Sequence, residues 1–178
     1  MSWTIWPTSL MPLLAMALAG WAYSVWRRNV NVVDAMWPMF FLAATITYAM
    51  QGQGTRAAVL TLLVALWAMR LALHLLVRNH GKPEDRRYQA IRRNNSPGFA
   101  WKSLYIVFGL QALLAWFISL PLFVAATSGS PLNALDALGV AALLGGLLFE
   151  ATADRQLMRF KSRPENRGRV LDTGLWAW

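Results

Sequence analysis

Cysteine is absent from all 178 residues, which excludes disulfides, iron–sulfur clusters and zinc–thiolate sites. Histidine is nearly absent. The two present, His74 and His80, have no carboxylate at ligand spacing, so the pattern supports no metal. Charged residues are only 14% of the chain, and acids are scarcer than bases: eight Asp and Glu against seventeen Lys and Arg. The net charge of +9 would suit nucleic acid, but the cations fall in short loops between apolar runs and form no continuous stripe, so nucleic acid is not expected as a partner. The start lacks the Lys/Arg-rich region of a signal peptide and its apolar run is too long for one, so it reads as a retained span.

What the chain does contain is apolar: 57% hydrophobic residues and ten Trp, with a mean hydropathy of +0.38. This composition belongs to a membrane protein. Uncharged or nearly uncharged runs over 6–26, 34–50, 57–77, 103–127 and 135–153 have the length of membrane spans, with Pro121 expected to kink or end the fourth. Lipid leaves only helices or closed barrels, so the expected fold is all-α, a polytopic membrane bundle of about five helices forming a single membrane domain. Loops are expected at 27–33, 78–102 and 154–173, with a short helix near 85–93. The turn Gln51-Gly52-Gln53-Gly54 follows no strand and is no dinucleotide fingerprint. Fifteen of the seventeen Lys and Arg lie after spans one, three and five. The positive-inside rule then puts these segments in the cytoplasm and the N-terminus outside, as expected for a multi-pass protein of a bacterial inner membrane.

In that topology Asp34, His74, Glu150 and Asp154 gather near the cytoplasmic face, with Arg70 roughly 10 Å deeper. Ionisable residues within a membrane are costly and face a bundle interior or a watery cavity. Trp67, Arg70 and His74 share one arc of span three, and Glu150, Asp154, Leu157 and Lys161 one stripe of span five. A polar cavity open to the cytoplasm is the expectation. The plain alternatives are that Asp34 and Glu150 merely end their spans, that His74 packs, that Arg70 snorkels and that the loop cations mark topology. Transport is disfavoured, because the charges gather at one face and no repeat or broken helix pair is visible.

Three ordered motifs, Asn31-Val32-Val33-Asp34-Ala35-Met36-Trp37, Arg78-Asn79-His80-Gly81-Lys82-Pro83-Glu84-Asp85-Arg86-Arg87-Tyr88, and Asp154 to Lys161 followed by Gly174-Leu175-Trp176, resemble the bacterial DUF1295 membrane proteins of the steroid 5α-reductase-like group. The resemblance implies a helical-bundle reductase that moves hydride from NADPH to a conjugated carbon–carbon double bond in a lipid-like substrate. It places Asp34 at the substrate carbonyl, Glu150 and Asp154 on the cofactor-facing helix, and Lys82, Lys161 and Arg169 at cofactor phosphates. Trp67 falls where the steroid enzymes have a catalytic Tyr, which weighs against 3-oxosteroid reduction. Polarising an enone carbonyl requires a protonated acid or a cation near its oxygen, a role open to Asp34 with Arg70 or His74 in support. Relatives continue past Gly-Leu-Trp with an Arg-His-Pro-Asn-Tyr-like segment and further helices, so the chain is expected to be a C-terminal truncation, inactive alone and lacking part of the cofactor site. The alternatives are an S-adenosylmethionine-dependent methyltransferase of the isoprenylcysteine or phospholipid type, and a non-enzymatic membrane or lipid-binding subunit whose basic loops meet anionic headgroups.

Overall fold

The structure is a computed structural model that describes residues 3–52 and 54–177. Gln53 in the expected turn and Trp178 lie outside the described residues. The described chain is all-helical, 78% helix with no strand, and five of its helices are long and apolar enough to cross a membrane. It is a multi-pass membrane protein. It divides into two compact units, Met1–Pro131 and Leu132–Trp178.

In the first unit a 3-10 turn over Trp6–Ser9 leads into α1 (Leu10–Arg27), followed by α2 (Val32–Ala49), α3 (Thr55–Asn79) and the short α4 (Arg86–Asn94). The fourth span begins at Phe99, earlier than its apolar run suggests, and is segmented: α5 (Phe99–Ser103), a π-helical stretch over Leu104–Gly109, α6 (Leu110–Ile118) and α7 (Leu120–Ala126). The break falls at Ser119, between α6 and α7, and Pro121 sits in the first turn of α7, where its missing N–H costs nothing. Arg28 ends α1 in the left-handed conformation, φ 50°, with its N–H on the Ser24 and Val25 carbonyls.

α2 is the central helix, with eight buried residues that include Phe40, Phe41, Ala44 and Tyr48. Its neighbours turn small residues towards the core at helical spacing: Ala17 and Gly20 on α1, Ala68 and Ala72 on α3, Ala112 and Ala115 on α6. In lipid, where apolar burial drives no association, close van der Waals packing through such residues holds helices together. Gly20 shows the closeness: a Cβ there would strike the Met36 thioether. Pro38 stands inside α2. Having no N–H, it leaves the Asp34 carbonyl without its intrahelical donor.

The two ends of this unit differ. At one end the Tyr48 hydroxyl is fully buried between Ser9 Oγ and Ser119 Oγ, 2.8 Å from each. Each serine also bonds the carbonyl three residues before it, Trp6 and Trp116, and those two indoles stack at 4.1 Å. The other end holds Arg27, Arg28 and the seven cations between Arg78 and Lys102.

The second unit is α8 (Ala134–Lys161) with 3-10 turns over Pro164–Asn166 and Gly174–Trp176. A capping box of Asn133 and Asp136 starts α8. The helix continues through Asp154 to Lys161, eight residues past its apolar run, because Arg155-Gln156-Leu157-Met158-Arg159 are all good helix formers. The tail folds back on it: Gln156 Oε1 accepts from the Leu175 N–H at 2.9 Å, and the Trp176 indole donates to the Ala153 carbonyl at 3.0 Å.

Candidate functional site

The α1–α2 loop and the α3–α4 loop are bound to each other at the basic end. The buried Asn31 side chain bridges them, its amide donating to the Pro83 carbonyl at 3.1 Å and its oxygen accepting from the Asp85 N–H at 2.8 Å. Glu84 makes the second tie. It accepts from the Val30 N–H at 3.0 Å and from Arg92 Nε and Nη2 at 2.8 and 2.7 Å, while Arg92 lies over the Phe99 ring at 4.4 Å. Burial alone would push the Glu84 carboxyl up, but the Arg92 bonds and charge and the Val30 N–H together hold it below its ordinary value. Asp85 caps α4 through the Arg87 N–H, and its bonds with Arg87 keep its carboxyl low as well.

This docking carries Tyr88 of α4 onto Asp34 of α2. The Tyr88 hydroxyl donates to Asp34 Oδ1 at 2.6 Å, and Asp34 Oδ2 has Arg87 Nη2 at 3.4 Å and Arg78 Nη2 at 3.9 Å. The Asp34 side chain is only 15% exposed. Gln111, just past the π-helical stretch, acts on the Tyr88 phenol in the opposite sense to Asp34, lowering it. π-Helical turns shift the register of everything after them and recur at functional sites. Burial, then the bond to Asp34, raises the Tyr88 phenol above its ordinary value, so it stays protonated. In this pair Tyr88 donates and Asp34 accepts.

The remaining expected residues are placed as follows. Arg70 and His74 are half-buried on α3, about two turns and one turn deeper than Arg78 on a shared arc, and Trp67 at the inner end of that arc packs edge-on against Phe41 of α2. Lys82 lies in the wall of a cleft of about 620 Å³ between the ends of α1, α2 and α3. Glu150 and Asp154 stand one turn apart on α8 in the second unit, and Lys161 and Arg169 are exposed there. The concavity within that unit, about 310 Å³, draws its cations from Arg159 and Arg163, with Gln156, Asn166 and Thr173 beside them.

Residues 20–178 match the sequence profile described as protein of unknown function, DUF1295. The chain belongs to the DUF1295 family. The uncharacterized protein C594.04c of Schizosaccharomyces pombe is 25% identical over 150 residues, an alignment covering 76% of this chain and 42% of that protein. The DUF1295 chain therefore spans less than half the length of this curated relative. No solved structure matches it.

The segments 31–37 and 78–88 are thus the two halves of one physical object. Sequence reasoning gave Asp34 and Lys82 a role, named Asn31, Glu84, Arg87 and Tyr88 only as members of motifs, and passed over Arg92. For Asn31, Glu84 and Arg92 a signal was available: an Asn three residues before an Asp at a helix start, and a Glu eight residues before an Arg across an N-capped turn.

Proposed function

We propose that this DUF1295 chain forms part of a membrane reductase that saturates a conjugated carbon–carbon double bond in a lipid-like substrate at the expense of NADPH, with its basic end cytoplasmic in a bacterial inner membrane and its N-terminus outside. The observation that carries this reading is the Tyr88–Asp34 pair: a shielded phenol hydroxyl whose oxygen lies 2.6 Å from a carboxylate oxygen, with two guanidinium groups alongside. Such a group suits an enone carbonyl, because oxygen gains negative charge as the β-carbon is reduced, and a fixed donor lowers the energy of that charge. Tyr88 has one proton, so on substrate binding its hydroxyl would turn from Asp34 to the enone oxygen and donate there as negative charge develops, leaving the Asp34 carboxylate to Arg87 and Arg78. Arg70 and His74, deeper on the same arc of α3, extend the polar wall.

The second unit offers residues of the right kind for the cofactor. Its concavity presents Arg159 and Arg163 with amide and hydroxyl donors and no carboxylate in its wall, a donor set suited to phosphate oxygens. Lys161 and Arg169 add cations on the same segment, and Glu150 and Asp154 are polar groups about three and two turns before Lys161 on α8. NADPH would be the hydride donor of the proposed reaction.

The test is enone-dependent NADPH oxidation by membranes containing the protein, across sterol-like and isoprenoid enones. Tyr88→Phe is expected to lower turnover roughly 100-fold or more, the usual contribution of a positioned proton donor, and Asp34→Asn to lower it comparably. Unchanged turnover in Tyr88→Phe would remove the pair from the chemistry.

A further inference from the structure

The cleft at the ends of α1, α2 and α3 has a polarity gradient along the helix axes. Its mouth is cationic, with Arg27 at the end of α1 and Lys82 in the α3–α4 loop, and Asn29 and Asn79 beside them. One turn deeper the wall is apolar: Tyr23 on α1 below Arg27, and Leu75 and Leu76 on α3 below Asn79. Tyr23 and Leu76 are about half exposed, 47% and 51%. No carboxylate lines the cleft. The acids nearest in sequence are engaged elsewhere, Glu84 by Arg92, Asp85 by Arg87 and Asp34 by Tyr88 and two arginines. Among the described residues no ion pair joins Arg27 or Lys82 to a carboxylate.

We propose that this cleft binds one anionic phospholipid, its phosphate at the Arg27–Lys82 mouth and an acyl chain along Tyr23, Leu75 and Leu76. Amphipathic shape is what distinguishes such a site from a general basic surface. A free anion would use the rim and gain nothing from the apolar wall, whereas a lipid uses both, and basic residues at the headgroup level attract anionic lipid. The site is independent of the reductase reading, and it gives Lys82 a lipid phosphate in place of a cofactor phosphate.

The experiment is native mass spectrometry of the detergent-purified protein titrated with phosphatidylglycerol or phosphatidylcholine of equal chain length. One phosphatidylglycerol is expected to be retained in preference to phosphatidylcholine. Arg27→Gln/Lys82→Gln should weaken its retention roughly 10- to 30-fold. Lys82→Gln alone, in an exposed loop, should show a smaller loss and covers the case in which the double variant does not fold. Leu76→Glu, which leaves both cations and puts a charge on the apolar wall, should also lose the lipid. Three results would each overturn the proposal: equal retention of the two lipids, an equal loss in the Arg86→Gln/Arg93→Gln variant on the exposed face of α4, or displacement of the lipid by glycerol phosphate or NADPH at matching concentrations.

Discussion

Replacing Glu84 with Gln tests the docking on which the candidate site depends. The substitution keeps shape and leaves an oxygen for the Val30 N–H, but it turns an amide towards the Arg92 guanidinium and removes the charge from two short hydrogen bonds of 2.8 and 2.7 Å. Hydrogen bonds to charged groups are worth about 1.5–3 kcal/mol each. Glu84 is 10% exposed but Arg92 is 38% exposed, so solvent screening places the pair towards the low end and the expected loss is about 2–3 kcal/mol. Unfolding in mixed micelles by a titration of sodium dodecyl sulfate, followed by tryptophan emission, measures it. The pH dependence is the sharper readout. Because folding lowers the Glu84 carboxyl, its contribution is complete above the unfolded-state value and disappears as pH falls through the folded one. The two proteins should therefore differ most near neutral pH and converge as pH drops through and below about 4, the ordinary carboxylate range. A gap that stays constant over that interval, or one under about 0.5 kcal/mol at neutral pH, would refute the charge-assisted tie.

Asn31→Asp should loosen the same junction by another route, since a carboxylate still accepts from the Asp85 N–H but faces the Pro83 carbonyl with no proton to give; faster tryptic cleavage at Arg86 and Arg87 in the folded protein is the expected sign. Tyr48→Phe should cost only about 1 kcal/mol: four contacts share the three hydroxyl protons of Ser9, Tyr48 and Ser119, so both serines keep their carbonyl bonds and one phenolic bond is lost. A cost above about 3 kcal/mol would mean that the network is not wired this way. Gly52→Ala should destabilise more than Gly20→Ala under the same denaturation assay, because the new methyl at Gly52 meets the backbone carbonyl of Ala126 while at Gly20 it meets the movable end of Met36. Equal losses would contradict these approaches.

The spans were legible because each is a long apolar run, and lipid permits little else. Their edges were less so. α8 runs on through Arg155 and Arg159 on helix propensity, which an apolar count ignores, and the fourth span starts at Phe99 because Gly98, with φ 89°, lets the chain turn into the helix before the last loop cation, Lys102. Asp34 stood out as an acid in an apolar helix. Its partner did not, because Tyr88 lies 54 residues away and no periodicity links two loops; their meeting is fixed by the Asn31 and Glu84 bonds, which are tertiary facts. Arg78 and Arg87 read as topology signals, and nothing in their spacing sets them apart from Arg86 or Arg93.

That excess of cations has a consequence for partners. The first unit contains three acids, Asp34, Glu84 and Asp85, all at the basic end, against the nine Lys and Arg there. Nine minus three leaves six positive charges at one end of a helical unit whose opposite end carries Arg56 beside neutral hydroxyls and indoles. The three acids are already committed to tyrosine and arginine, so the residual charge can be met only by anions from outside the unit. Headgroup phosphates at a membrane surface would meet it without specificity. Arg27 and Lys82 face the larger described cleft, of about 620 Å³, which turns apolar one helical turn deeper, so there the counter-charge comes with a place for a hydrocarbon chain.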